Sequence, residues 1–280
     1  MTVVDRIKER GPSFSGAERR VAEVVLTDLE AVAFGTVAEL ARHSRTSGAT
    51  VVRFANRLGY DGFVELQSVV QRELSGRLRP AGERMREPRS ADVVSRTLQI
   101  ELDNVRRSVS AIEPAAFTRA VRALASRRGR VAVLPGGASH GIGQQLADEL
   151  AMLRPGVDLV WGPAVHVTSA LAGLGAADAV VAIDLPRYDR ALLDAIDRAA
   201  AGDAAVIAIT DSLLSPLARV AAASFAVGAE GAGPFDSHLG ALAVCNALVA
   251  GVADSLRASA TARIDGIEAA WHDAGALVDE

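Results

Sequence analysis

Apolar and polar positions change period once along this chain of 280 residues. Up to about residue 78 the period is helical. Val21, Val24, Val25 and Leu29 form one stripe behind Ser15-Gly-Ala-Glu18, a capping box in which the serine accepts a backbone N–H and the glutamate reaches back. Two short helices follow: Thr36–Arg42, with Val37, Leu40 and Ala41 on one face, and Ser47–Leu58, with Val51, Val52, Phe54, Ala55 and Leu58 inward. Gly59 ends the second as a C-cap, and a longer helix is expected over Gly62–Leu78. Residues 79–90 are polar and broken by Pro80, Gly82 and Pro88, which is linker composition. A helix is then expected from about Ala91 to Ala111. Along it Leu98, Leu102, Val105, Val109 and Ile112 recur at spacings of four and three, a stripe that suits a partner helix and the helix's own domain equally.

From Arg130 the period shortens to β-branched runs. Val131–Leu134, Asp158–Trp161, Ala179–Ile183, Ala205–Ile209 and Ser224–Val227 are the candidate strands, alternating with helical stretches near 141–153, 165–174, 189–201, 215–222 and 238–257. Such alternation predicts an α/β domain with a five-stranded parallel sheet and helices on both faces. The expected organisation is an all-α helix-turn-helix domain at 1–78, a linker with connecting helices at 79–128, and an α/β domain at 129–280.

Half of the residues are hydrophobic, enough for a sizeable core. The formal charge of −4 is unevenly spread: residues 1–80 hold 12 Lys/Arg against 10 Asp/Glu, and the remaining 200 hold 18 against 24. The sign favours nucleic acid at the N-terminal end. The single cysteine, Cys245, lies in an apolar run and reads as a buried hydrophobe, which fits a reducing compartment. Charges at Asp5, Arg6, Lys8, Glu9 and Arg10 interrupt any leader, and no uncharged apolar run reaches bilayer length, so a soluble, cytoplasmic protein with no membrane partner is expected.

Two short helices joined by a tight turn are the geometric core of a helix-turn-helix. The second helix must offer short polar and basic side chains near its N-terminus to reach base edges in the major groove. Ser47, Thr50, Arg53 and Arg57 are the candidates, with Ser47 as N-cap and Arg53 able to pair with guanine or hold a phosphate. A plain helical bundle with inert surface arginines fits the spacing equally well. The strings Leu40-Ala-Arg-His-Ser-Arg-Thr-Ser-Gly-Ala-Thr-Val-Val-Arg-Phe54 and Arg57-Leu-Gly-Tyr-Asp-Gly-Phe63, with Ala17–Ala22 and Val32–Phe34 upstream, resemble the helix-turn-helix of the RpiR family of regulators over almost all of residues 1–75. The family usually has Gly and a small apolar residue in the turn, where this chain has Arg45 and Thr46. Either Arg45 takes a positive φ at some cost or the turn differs from the family's, and Arg45 is available for a phosphate contact.

Gly136-Gly-Ala-Ser-His-Gly-Ile-Gly143 follows the first α/β strand and opens a helix, where backbone N–H groups favour an anion. A tight turn needed only for packing reads the same. The dinucleotide fingerprint is absent, since Val160-Trp161 rather than an acid ends the second strand. Ligands of open α/β sheets sit at the carboxyl ends of the strands. Those ends carry Gly137, Ala138 and Ser139; Asp184, Arg187, Tyr188 and Arg190; and Thr210, Asp211 and Ser212, with His238 before the last helix. The scattered histidines have no metal-ligand spacing, and no metal, cofactor or catalytic residue is expected.

The second half resembles a SIS (sugar isomerase) domain over about residues 129–255. The resemblance rests on the Gly-Gly-Ala-Ser turn and on Ala204-Ala-Val-Ile-Ala-Ile-Thr-Asp-Ser-Leu-Leu-Ser-Pro-Leu-Ala218. SIS domains typically carry Ser-x-Ser-Gly-x-Thr after the third strand; here Asp184-Leu-Pro-Arg-Tyr-Asp-Arg190 stands instead, with arginines in place of hydroxyls. The two resemblances together imply a non-enzymatic transcription regulator. It would bind double-stranded DNA at a palindromic operator, bind a small anionic metabolite (sugar phosphate, amino-sugar derivative or carboxylate), and bind itself as a dimer or tetramer. Two alternatives stay open: a sugar-phosphate isomerase-like enzyme, and a DNA binder whose SIS-like domain only dimerises.

Overall fold

The computed structural model describes residues 3–27, 29–78, 81–86, 92–126, 128–213 and 215–277. The chain divides into two compact units, Met1–Pro80 and Ala81–Glu280.

The first unit is helical: α1 (Val3–Arg10), α2 (Gly16–Thr27), α3 (Leu29–Phe34), α4 (Val37–His43), α5 (Gly48–Arg57) and α6 (Gly62–Leu78), with a 3-10 turn at Gly11–Ser13. Local signals set the ends. Ser15 N donates to Glu18 Oε2 at 2.8 Å and Glu18 N donates to Ser15 Oγ at 3.3 Å, the reciprocal capping box. Thr36 and Glu39 form a second one at the start of α4. Gly59, at φ 87°, closes α5 with Tyr60 N on Ala55 O and Gly59 N on Asn56 O, a Schellman motif. The core gathers Val21, Val25, Leu40, Val51, Phe54, Leu58 and Leu66, with the Phe14 and Phe54 rings 5.3 Å apart.

One phase assignment in α5 is corrected. Val52, read as inward, is 37% exposed, and Thr50, read as outward, is 5% exposed. At about 100° per residue, Val51, Phe54, Ala55 and Leu58 define a direction that Thr50 approaches more closely than Val52 does. Valine and threonine have nearly the same shape, so helical phase rather than hydrophobicity decides which one is buried.

The second unit opens with α7 (Ala81–Met85), a short helix inside the segment read as linker; residues 79–80 and 87–90 of that segment lie outside the described residues. Then come α8 (Val93–Ser110), α9 (Pro114–Leu124), β1 (Val131–Pro135), α10 (His140–Leu153), β2 (Val157–Leu159), α11 (Ala164–Leu171), β3 (Ala179–Ile183), α12 (Arg190–Ala201), β4 (Ala205–Thr210), α13 (Pro216–Arg219), β5 (Ala223–Ala226) and α14 (Leu239–Asp273). The strands form one sheet in the order β2-β1-β3-β4-β5, every neighbouring pair parallel. Both faces are buried, with period two along each strand. Val131, Val133, Val181, Ile183, Ile207 and Ile209 pack with α9, α10 and α14, while Ala132, Leu134, Val180, Ala182, Val206 and Ala208 pack with α11, α12 and α13.

The last helix runs to Asp273 rather than about 257. Residues 258–273 are rich in Ala and contain no proline, so the backbone continues as a helix, buried at Ala260, packed on the core through Ile264 and exposed toward its end. By length and composition this helix is apolar enough to cross a membrane, contrary to the expectation that no segment is. Its buried residues, among them Ala241, Val244, Cys245, Leu248, Val252 and Leu256, fill the core over one sheet face, the position of a core helix.

Candidate functional site

Two places carry chemistry, one in each unit. In the first unit, α4 and α5 are joined by Ser44–Thr46. Thr46 N donates to Ala41 O at 2.8 Å and Arg45 N to Arg42 O at 3.1 Å, so the turn is a Schellman motif with Arg45 in the left-handed position at φ 50°. A glycine would take that position freely; the arginine is held there with its side chain exposed. Buried Ser44 braces the turn, its Oγ donating to Leu40 O at 2.7 Å and accepting from Thr46 Oγ1 at 2.8 Å.

Ser47 caps α5, its Oγ accepting from Thr50 N at 3.2 Å. Thr50 is engaged inside the domain: its Oγ1 lies 3.0 Å from Ser47 Oγ and accepts from Arg53 Nη2 at 3.2 Å. Arg57 leans back onto its own unit, with Nε 3.3 Å from Glu18 Oε1 and Nη1 donating to Ser13 O at 3.1 Å. Glu18 is buried, and its backbone partner at Ser15 is the main cause holding its carboxyl below the usual range. The open surface at the start of α5 thus carries Arg45, Ser47, Ala49, Val52 and Arg53. Val52 and Ala49 are additions that the sequence reading missed. An apolar side chain there suits a thymine methyl, and the signal was available in the helical phase.

In the second unit the strand order reverses between β1 and β3, and the crevice at such a switch point is where α/β sheets bind ligands. Gly136, Gly137, Ala138 and Ser139 leave β1 there and lead through a 3-10 turn into α10. Gly137 and Ala138 are exposed; Ser139 is fully buried and its Oγ has no hydrogen-bond partner. The Trp161 ring flanks this turn. It meets the His140 ring edge-on at 4.7 Å and lies 3.7 Å from where a Cβ on Gly137 would stand. Trp161 was noted in the sequence only for not being acidic.

Asp184 leaves β3 beside the same turn. It is 5% exposed, and its carboxylate accepts from Leu185 N at 3.0 Å and Asp189 N at 2.7 Å. Burial pushes its carboxyl up to about 6; the two backbone N–H groups oppose that rise, and the charges of Asp189 and Asp211 add to it. Tyr188 donates its hydroxyl to Asp211 Oδ1 at 2.6 Å, and Ser212 is buried. His238 caps α14 with its Nε2 buried and unpartnered, and burial holds its imidazole below the usual value.

Arg187 is exposed at φ 73°, and Arg190 lines a cleft of about 290 Å³ with Tyr188, Leu193, Asp194, Pro216 and Arg219, which does not include the glycine turn. The Asp184 carboxylate is what stands against Gly136. Among the described residues no cluster of His, Cys, Asp or Glu could hold a metal ion. Cys245 is buried among α14 core residues, and desolvation pushes its thiol up to about 12.

Comparison with known proteins matches residues 1–77 to the helix-turn-helix domain of the rpiR family and residues 123–251 to the SIS domain. An uncharacterised HTH-type transcriptional regulator of Thermotoga maritima is 29% identical over 76 residues, which is about a quarter of each protein's length. Another such regulator, from Caldanaerobacter subterraneus, is 24% identical over 225 residues, covering 80% of this chain and 79% of its own. Among solved structures, the sugar isomerase domain of an RpiR transcription factor from Sphaerobacter thermophilus superposes with a TM-score of 0.58 at 27% identity, covering 62% of this chain and 97% of its own. The NanR protein of Vibrio vulnificus, solved with ManNAc-6P, superposes with a TM-score of 0.59 at 21% identity over 99% of this chain and all of its own.

Proposed function

From a chain that belongs to the RpiR-type transcription regulators, an rpiR-family helix-turn-helix joined to a SIS domain, we propose a DNA-binding regulator that changes its operator affinity when a small anionic metabolite binds at the β1/β3 crevice. The observation that carries the reading is the pairing of a complete helix-turn-helix, with Arg45, Ser47, Val52 and Arg53 open on one surface, and a ligand crevice on a separate unit of the same chain. Residues 1–78 read DNA, 79–128 connect, and 129–280 sense and self-associate. Two copies then meet the two halves of a palindromic operator.

The effector is a sugar phosphate, an amino-sugar derivative or a carboxylate. The shared fold with a protein solved with ManNAc-6P supports the phosphosugar class. The anchoring groups are the N–H groups of Gly137 and Ala138 before α10, the Ser139 hydroxyl and His238. Effector binding would act by shifting the population between two states of different DNA affinity.

A second reading has one observation in its favour. The Asp184 carboxylate stands beside the glycine turn and repels an anion when ionised, which suits a SIS domain kept as a self-association scaffold. The two readings part in one experiment. DNA enriched by the full-length protein from a random pool defines the site; gel shifts and thermal unfolding are then run with sugar phosphates, amino-sugar phosphates and small carboxylates. A compound that both raises the melting temperature and shifts DNA affinity supports sensing. Palindromic enrichment with no responding compound supports the scaffold, and no enrichment rejects DNA binding.

A further inference from the structure

Helix α8 is amphipathic in the wrong sense for its own domain. Its buried residues are polar, Asn104 and Ser108, while Val94, Leu98, Leu102 and Val109 are 80, 59, 53 and 46% exposed. The polar side is fully used. Ser108 Oγ accepts from Gly228 N at 2.9 Å and donates to Asn104 O at 2.6 Å; Asn104 Nδ2 donates to Glu230 O at 2.7 Å; Arg96 Nη2 donates to Ala232 O at 2.8 Å; Ser237 Oγ donates to Glu101 Oε2. These bonds fasten α8 to the loop between β5 and α14 and turn its apolar stripe away from that loop.

We propose that the Leu98–Leu102–Val109 stripe of α8 is the seam on which a second copy of this chain docks, α8 against α8 in parallel. Leu98, Leu102, Val105 and Val109 follow one another at spacings of four, three and four, the alternating core positions of a two-helix seam. Charge selects the partner and its direction. Glu101 and Arg106 flank the stripe on opposite sides and are five residues apart, the separation at which flanking positions of two parallel helices face each other. A second copy therefore brings its own Arg106 to Glu101 and its own Glu101 to Arg106. Arg106 is bonded at present only to exposed Asp103, an i, i+3 pair that is readily exchanged. Parallel docking also places the two-fold axis along the helices, so the chain segments leading into the two DNA-reading units emerge at the same end, as a palindrome requires.

The inference deepens the self-association in the proposed regulator, and its test separates the two. The full-length wild type, L98D/L102D, and single L98C and L102C variants are compared by sedimentation and by mild oxidation. Leu98 and Leu102 are exposed, so the variants keep wild-type circular dichroism. The expected result is a dimeric wild type, an aspartate variant with association at least tenfold weaker, and rapid disulfide-linked dimers from both cysteine variants. In antiparallel docking Leu98 would face the far end of the seam and L98C would not link. Buried Cys245 does not compete. An L98D/L102D variant that dimerises like the wild type, or cysteine variants that stay unlinked, overturns this seam and leaves self-association to another surface. A monomeric wild type overturns the seam and the self-association reading together.

Discussion

The Asp184 carboxylate stands where a side chain on Gly136 would have to be: a Cβ there would lie 2.7 Å from Oδ2 and closer still to Cγ and Oδ1. Gly136 has an ordinary extended backbone, φ −68° and ψ 165°, so it is close approach and not conformation that requires glycine. Asp184 cannot swing away without giving up Leu185 N and Asp189 N. Gly136→Ala should cost about 2 kcal/mol, the usual scale for overpacking a tight contact. Urea unfolding measures it, and an unchanged midpoint would show that the loop yields.

Asp184 also makes stability depend on pH. Its folded-state value is raised from 3.8 to about 6, so its contribution is complete below the unfolded value and is lost as pH rises through about 6. Between about pH 4 and pH 7 wild type should lose roughly 3 kcal/mol that Asp184→Asn does not lose. The comparison is of slopes, because asparagine offers one acceptor oxygen to two N–H groups and lowers stability at every pH. Parallel pH profiles for the two proteins would mean that the carboxyl titrates normally.

Arg45 holds a left-handed backbone at φ 50°. Arg45→Gly relieves strain on the order of 1 kcal/mol, partly offset by the greater freedom of glycine in the unfolded chain, so a net gain of about 0.5 kcal/mol is expected. The same change removes a proposed phosphate contact and should lower the salt dependence of DNA binding by about one charge. Thermal melts and salt-series gel shifts read the two effects separately. A variant that melts higher and binds DNA with the same salt slope removes Arg45 from the interface.

Arg53 and Thr50 separate a contact from a prop. Arg53 is exposed at the start of α5, and its loss should weaken operator binding about tenfold while lowering melting less than the loss of Thr50 does. Thr50 is buried against Ser47 and Arg53, so Thr50→Ala should cost about 1 kcal/mol of stability and alter affinity less. The reverse ranking in a gel shift would return Thr50 to the reading surface.

Much of the fold was legible because local rules and global packing agree. Period-two runs became parallel strands since both sheet faces are covered, and the capping residues Ser15 and Ser47 with Gly59 marked helix ends by hydrogen bonding that depends on neighbours in sequence. The site was less legible. Arg187 and Arg190 were read as replacements for missing hydroxyls because they occupy the right loop; that Arg190 lines a separate cleft depends on how α12 and α13 pack, which no local pattern encodes. Trp161 escaped notice because its place beside Gly137 comes from β2 pairing with β1, a contact between segments distant in sequence.

The sequence by itself determined the two-part organisation, the helix-turn-helix and the parallel α/β sheet, because periodicity, capping and turn chemistry act over a few residues. Tertiary structure alone decided which of Thr50 and Val52 is buried, that Asp184 rather than an arginine stands over Gly136, and that α8 turns its apolar stripe outward. Each of those depends on a partner far along the chain: the direction of the α5 core, the meeting of the β1 and β3 ends, and the grip of Asn104 and Ser108 on the loop after β5.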